Sequence, residues 1–436
     1  MKLVVIGGGA AGMAAASKAR RQAPESDILV VESGGYVSYA ECGIPFLLEG
    51  TVKDPMDLLH YSPKEFTERR GIKIKNNTTV KNILPEKKIL KLSDGTDEKY
   101  DRLVLATGVR ARSNEFIDGK RIVGIRSLES GIHARELVNS GRDFIIVGDG
   151  ILGLELASSL LEAGKNVKII SKHEKVFTKL DSEIRDIVDS KFRSSIEILY
   201  QSYVDNIKYS GNRVILNVNG RAFEADGVIY ATGVLPNSEI ASDAGLQINT
   251  DGTVHVDHGM QTSVPDIYAA GDVAQTFNII TGKQDWHPLA QISNKMGRVA
   301  GCNAAGGSMS FPGSLGTSLV KLLGFEVGFT GLNRSEIARS GIDYESTFIK
   351  AKSRANYFPG SEDVYISINY AKKDGRILGG QIVSRDGGAW RLNTLAMAVF
   401  SGLSVEDLFY SDLGYSPPFG PVWDPLIIAA SVSMRE

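Results

Sequence analysis

Cys42 lies in the segment Ser38-Tyr39-Ala40-Glu41-Cys42-Gly43-Ile44-Pro45, ten residues beyond Glu32, and the only other cysteine is the distant Cys302. A thiol with no neighbour to pair with, placed just after a nucleotide-binding pattern, points to redox chemistry on sulfur beside a bound cofactor. That pattern runs from the apolar run Leu3 to Ile6 through Gly7, Gly9 and Gly12 to Glu32, 20 positions after Gly12. A carboxylate there is placed to accept hydrogen bonds from ribose hydroxyls, the plain alternative being an exposed strand end.

A second set of elements has the same grammar. Phe144-Ile145-Ile146-Val147 reads as a buried strand, followed by Gly148, Gly150 and Gly153, a helix from about Leu154 to Ala163 and a strand ending at Ser171. In each copy the first glycine permits a tight turn, the second lets backbone approach a pyrophosphate, and the third lets helix pack on strand, while the helix N-terminus attracts the anion. Either copy alone could be a strand-to-helix turn without a ligand. Together they imply two nucleotide sites, because each follows an apolar strand and opens a small-residue helix. The second copy ends on Ser171, followed by Lys172, His173 and Lys175 rather than an acid. A hydroxyl and lysines accept a 2′-phosphate that a carboxylate would repel, so this site leans towards NADPH; a solvated basic loop is the alternative.

Two near copies, Leu103-Val104-Leu105-Ala106-Thr107-Gly108 and Val228-Ile229-Tyr230-Ala231-Thr232-Gly233, read as strands closing the nucleotide domains. In Tyr268-Ala269-Ala270-Gly271-Asp272 an acid ends another apolar strand, suited to gripping a ribityl or ribose hydroxyl. After about Ser314, strand-like runs at Thr317 to Leu323, Val327 to Thr330 and Val364 to Tyr370 alternate with turns, and one helix spans roughly Ala389 to Ser401. This is a separate α+β domain without nucleotide motifs.

A chain of 436 residues is long enough for roughly two to four domains. A net charge of -2 argues against a nucleic-acid partner, which needs a concentrated basic face. Two cysteines exclude a disulfide scaffold and fit a reducing compartment. The first apolar run stops at Gly7 and reads as a strand, not a leader; no run reaches the roughly 20 apolar residues of a membrane span. The expectation is a cytoplasmic protein with no membrane or nucleic-acid partner and no metal site.

The order of these features, GxGxxG, Glu, a single Cys, ATG, GxGxxG, ATG, Gly-Asp and a strand-rich C-terminal part, resembles the flavin-dependent pyridine nucleotide-disulfide oxidoreductases over essentially the whole chain. It is most similar to the single-cysteine branch of coenzyme A disulfide reductases, NADH oxidases, NADH peroxidases and persulfide or polysulfide reductases; the CxxxxC of the dithiol branch is absent. The resemblance implies an α/β fold with two Rossmann-like domains, for FAD and NAD(P), and a C-terminal α+β dimerisation domain. The implied segments are 1–112 and 243–314 for FAD, 113–242 for NAD(P) and 315–436 for the interface of a homodimer.

Carried over residue by residue, the resemblance implies that Gly7, Gly9, Ala10, Ala11, Gly12, Glu32, Ser33, Val80, Ala106, Thr107, Gly108, Gly271, Asp272, Leu289 and Ala290 bind FAD. Gly148, Gly150, Gly153, Glu155, Ser171, Lys172 and Gly233 would bind NADPH or NADH. Cys42 would stand over the flavin and form a mixed disulfide or persulfide with a small-molecule thiol substrate, one cysteine sufficing because the substrate brings the other sulfur. Its place before a helix opened by Pro45 favours the thiolate. Cys302, in a small-residue helix, reads as a packing cysteine. Tyr415, in Tyr415-Ser416-Pro417-Pro418, and Tyr357 resemble tyrosines that reach the partner subunit's active site, where a phenol would protonate or hold sulfur; both could instead pack at the interface. Lys18, Arg21 and Ser38 match coenzyme A contacts, and Lys18 and Arg21 share a helix face that could equally be solvated.

The implied reaction is NAD(P)H-dependent reduction of a substrate disulfide, coenzyme A disulfide first. Oxygen reduction and polysulfide or persulfide reduction are the competing readings, and a flavoprotein electron carrier with a dispensable Cys42 is the reading from another class. Three departures bear on the choice: Ala10 stands where peroxidases carry histidine, Glu41 where coenzyme A disulfide reductases often carry asparagine, and Trp390-Arg391-Leu392-Asn393 differs from the usual interface helix.

Overall fold

The computed structural model describes residues 1–112 and 116–434. It divides into two compact units, Met1–Gly141 with Thr232–Phe277 and Lys283–Ser314, and Arg142–Ala231 with Asn278–Gly282 and Leu315–Glu436. The expected boundary at 113 touches residues 113–115, outside the described residues. The first unit continues to Gly141 because helix Leu128–Ser140 packs on helix Ile44–Glu49, with Gly131 so close that a Cβ there would lie 2.9 Å from Ile44 Cγ2. The chain rejoins this unit at Thr232, ahead of the expected 243, as strand Val234–Pro236 pairs with Val109–Ala111.

In the first unit a parallel sheet runs in the order Ile267–Ala269, Arg102–Leu105, Lys2–Ile6, Asp27–Val31, Ile72–Lys75. The strands Lys2–Ile6 and Asp27–Val31 are buried without alternation after their first residue because both faces are covered; Leu3, Val4 and Val5 are fully buried. Helix Ala10–Gln22 lies on helix Ala290–Ala304. Gly297 and Gly301 permit this approach, since a Cβ on either would fall 2.1 Å from the carbonyl oxygen of Ala11 or Ala15. Cys302 is buried beside them, as expected of a packing residue.

The second unit repeats the parallel pattern with Glu197–Leu199, Asn166–Ile170, Asp143–Val147 and Gly227–Tyr230. The helix expected from Leu154 begins at Ile151, because the turn ends at Gly150, which caps it. Beyond Leu315 lies an antiparallel sheet ordered Ser318–Leu322, Phe325–Gly331, Ile377–Ser384, Asp363–Ala371, Tyr344–Lys352. Helices Gly388–Phe400 and Pro425–Ser433 pack on it, burying Leu392, Leu395, Leu426 and Ala430 against Ile366, Ile368 and Ile382. The strands Tyr344–Lys352 and Ile377–Ser384 were not expected; the second is buried throughout, so it lacks the alternation that marks a half-buried strand. No helix among the described residues is long and apolar enough to cross a membrane.

Candidate active site

The first glycine turn is set by sterics. Gly7 has φ +103°, and a Cβ there would sit 2.1 Å from Ala106 O; one on Gly12 would sit 1.9 Å from Gly7 O. Gly9, by contrast, faces open space and caps helix Ala10–Gln22 without a side-chain hydrogen bond, leaving backbone N–H groups at the helix start for an anion. Glu32 accepts from Gly8 N (Oε2, 2.6 Å) and Gly34 N (Oε1, 2.6 Å), and Ser33 Oγ lies 3.1 Å from it. Each carboxylate oxygen has a second lone pair for a ribose hydroxyl. Turn, helix end and carboxylate together fit a dinucleotide. The Val80 side chain is in the core, 6% exposed, so only its backbone is placed to meet a ligand.

The segment carrying Cys42 is bolted to this turn. Ser38, held at φ +55°, donates its N–H to Gly8 O at 2.9 Å, and Ala40 N donates to Leu58 O at 2.9 Å. Gly43 packs so closely on Leu58 that a Cβ would lie 2.3 Å from Leu58 Cδ2. Glu41–Gly43 form a 3-10 turn leading into helix Ile44–Glu49, which buries Ile44, Pro45, Leu47 and Leu48 and leaves the Cys42 thiol exposed. That helix has only 6 residues, a short source of the anion-favouring end expected for it.

Around the same turn stand Asp272 and Arg126. Asp272 accepts from Ser293 Oγ at 2.5 Å, and burial raises its carboxyl above the usual range. Desolvation pushes the Glu41 carboxyl up to about 7, with Asp272 adding to the rise, Arg126 opposing it and Glu32 adding further. Leu289 caps helix Ala290–Ala304 without a side-chain bond. Thr107 Oγ1 donates to Asn237 O and Asn237 Nδ2 returns a bond to Thr107 O, both at 2.8 Å, which fixes Gly108 at φ +62°. Arg126 and Ser293 carried no signal along the chain, since only folding brings them to Asp272.

In the second unit Gly148 has φ +120°, a Cβ on Gly153 would lie 2.2 Å from Gly148 O, and Gly150 faces open space; Gly150 too caps its helix without a side-chain bond. This turn likewise fits a dinucleotide. Glu155, on that helix, has its carboxyl pushed up to about 7 by burial.

The strand end differs from expectation. Asp149, missed in the sequence although an acid inside a glycine turn is itself a signal, accepts from Ser171 Oγ at 2.6 Å and holds His173 Nδ1 at 2.8 Å. Ser171 is fully buried, and Lys175 is paired with Asp186. The expected reception of a 2′-phosphate by the Ser171 hydroxyl is therefore corrected: that donor points inward to a carboxylate. Lys172 remains exposed. Gly233, with φ +104°, belongs to the first unit, where its carbonyl accepts from Arg112 N at 3.0 Å.

Tyr357 and Tyr415 are brought together on the C-terminal sheet domain. The Tyr357 phenol beside it raises the Tyr415 pKa, and Tyr357 is 76% exposed. Behind them Arg391 is fully buried, bound to Asp424 Oδ2, Ser353 O and Gly387 O. On the first helix Lys18 Nζ donates to Gln22 at 3.2 Å, and Arg21 is exposed.

Residues 1–297 match the family described as Pyridine nucleotide-disulphide oxidoreductase, and residues 317–425 match its dimerisation domain. Among curated proteins, an NAD(P)H sulfur oxidoreductase (CoA-dependent) of Pyrococcus furiosus is 38% identical, over 99% of this chain and 98% of its own. An NAD(P)H coenzyme A polysulfide/persulfide reductase of Pyrococcus horikoshii is 37% identical, with the same coverage. Among solved structures, an NAD-dependent persulfide reductase from A. fulgidus superimposes with a TM-score of 0.95 at 32% identity, covering 100% of this chain and 83% of that one.

Proposed function

Because the chain belongs to the pyridine nucleotide-disulphide oxidoreductase family and is an NAD(P)H-dependent flavoprotein oxidoreductase, we propose that its acceptor is the sulfur–sulfur bond of a coenzyme A persulfide or a polysulfide, attacked by Cys42. Bound FAD supplies the two-electron relay between NAD(P)H and sulfur. Gly7, Gly9, Gly12, Glu32, Thr107, Gly108, Asp272 and the start of helix Ala290–Ala304 would hold it, and the Gly148–Gly153 turn with Lys172 would hold the nicotinamide cofactor.

The observation that carries this reading is the exposed thiol of Cys42, fixed to the first glycine turn through the Ser38-to-Gly8 bond. A single thiol held rigidly beside the cofactor turn can form one bond to substrate sulfur, and the substrate supplies the second sulfur. Lys18 and Arg21, three apart on one helix face, suit the phosphates of coenzyme A. The match of the C-terminal segment to a dimerisation domain supports a homodimer. Coenzyme A disulfide is the second reading, favoured by the neighbouring phenols of Tyr357 and Tyr415, since a phenol can protonate a departing thiolate.

The test is anaerobic NAD(P)H oxidation with coenzyme A persulfide, polysulfide or coenzyme A disulfide as acceptor. The expected result is sulfur-dependent turnover that Cys42→Ser abolishes while flavin absorbance persists. Undiminished turnover in that variant overturns the reading.

A further inference from the structure

The second glycine turn carries a negative charge of its own. Asp149 stands between Gly148 and Gly150, while Gly150 faces open space and caps helix Ile151–Glu162 without a side-chain bond. The helix start therefore offers N–H groups to an anion with a carboxylate inside the same turn, and that carboxylate opposes a pyrophosphate unless a cation answers it. Asp149 is 7% exposed. It accepts from Ser171 Oγ at 2.6 Å, and the imidazole of His173 holds it through Nδ1, 2.8 Å from Oδ2 and 3.1 Å from Oδ1. Of these two partners only the imidazole can bring a positive charge.

Backbone bonds fix the pair in place. His173 N donates to Ser171 Oγ at 3.1 Å, Gln201 N to His173 O at 3.1 Å and Phe177 N to Asp149 O at 3.1 Å. Among the described residues the ring's hydrogen bonds all run through Nδ1, and the side chain is 35% exposed, so Nε2 is where a proton adds. The other charged and titratable groups packed around the pair are engaged elsewhere or stand as opposite signs. Lys172 and Glu174 flank His173, and Lys175 pairs with Asp186 of helix Ser182–Arg193 at 2.7 Å. On the same helix Asp189 is taken by Val176 N and the Tyr200 hydroxyl, and Arg193 lies 5.8 Å from the Tyr200 ring. Helix Ile151–Glu162 contributes Glu155.

We propose that His173 is the positioning residue that makes the second turn receptive to the coenzyme pyrophosphate, by taking up a proton at Nε2 and cancelling the charge of Asp149. The role rests on the reading of the Gly148–Gly153 turn as the NAD(P)H site. With the ring neutral, Nδ1–H still satisfies Asp149, but the turn keeps a full negative charge. With the ring protonated the pair is neutral, and the helix start meets the anion unopposed. Anion binding and proton uptake are then linked.

The test is calorimetric titration of flavin-loaded enzyme with ADP-ribose, which carries the pyrophosphate but neither a 2′-phosphate nor a hydride to reduce the flavin. Titrations at about pH 6 and about pH 8.5, in buffers of different ionisation enthalpy, bracket the ordinary range of histidine. Wild type is expected to bind about tenfold tighter at the lower pH, with net proton uptake. His173→Gln should lose the uptake and bind at both pH values as wild type does at the higher one. Asp149→Asn should also lose the uptake but bind at the higher pH as tightly as wild type at the lower; a merely structural pair would instead weaken in both variants. Wild-type binding without proton uptake overturns the role of His173, even where Asp149→Asn fails to fold. Uptake that survives His173→Gln belongs to another group, such as Glu155, and overturns it too. If ADP-ribose does not bind at either pH, the reading of this turn as the coenzyme site falls as well.

Discussion

Asp149 and Ser171 face each other across the second nucleotide turn, hydroxyl to carboxylate at 2.6 Å. In the first turn the polarity is opposite: the acid, Glu32, is at the strand end and bonds the backbone of Gly8. The second site therefore offers no strand-end carboxylate to ribose, and its serine is committed inward. Any preference for NADPH falls to Lys172. Ser171→Ala should leave the ratio of NADPH to NADH dissociation constants within about twofold. Lys172→Ala should shift it towards NADH by about fivefold, the loss of one charged contact being about 1 kcal/mol. Fluorescence titration of both coenzymes measures this.

The open glycines, Gly9 and Gly150, and the crowded ones, Gly7, Gly12 and Gly153, should part ways on mutation. Gly150→Ala adds a methyl to open space, so thermal stability should hold while NAD(P)H binding weakens at least about tenfold, the backbone no longer being approachable. Gly153→Ala forces a contact of 2.2 Å on Gly148 O and should cost about 1–3 kcal/mol in denaturant unfolding.

Burial of Glu155 makes stability depend on pH. Its folded pKa is about 7 against an ordinary 4.5, so between these values the folded state holds a proton that the unfolded chain has lost. Stability from this group is full below 4.5, declines as pH rises and is gone above about 7. Glu155→Gln should match wild type at pH 4 and be more stable at pH 8 by about 2 kcal/mol, read from urea midpoints at both pH values.

Arg391, with no exposed surface, bonds Asp424 Oδ2 through Nε and Nη2 at 2.8 Å and also holds Ser353 O and Gly387 O. It thereby ties the segment leading to Tyr357 to the cap of helix Pro425–Ser433. Arg391→Met leaves Asp424 buried without its cation and should cost about 3–5 kcal/mol. The double variant Arg391→Met, Asp424→Asn should recover a large part of that in the same unfolding assay.

The sequence alone carried the α/β class, both glycine turns, the lone thiol and the separate C-terminal part, because each is a pattern of short range. A turn that admits only glycine, or a strand buried on both faces, writes its constraint into consecutive residues. The strand Ile377–Ser384 stayed illegible because a strand enclosed in a sheet shows no alternation to read. Tertiary structure alone decided which side chains titrate and which are spent. Ser171 reads as a phosphate donor until Asp149, 22 positions away, claims its proton. Arg391 reads as an interface residue until Asp424, 33 positions on, buries it. Glu41 reads as a misplaced charge until desolvation by the surrounding protein, with Asp272 adding to it, lifts its carboxyl to about 7. Desolvation and Coulomb fields depend on distance in space and not along the chain, so no spacing in the sequence could have announced them.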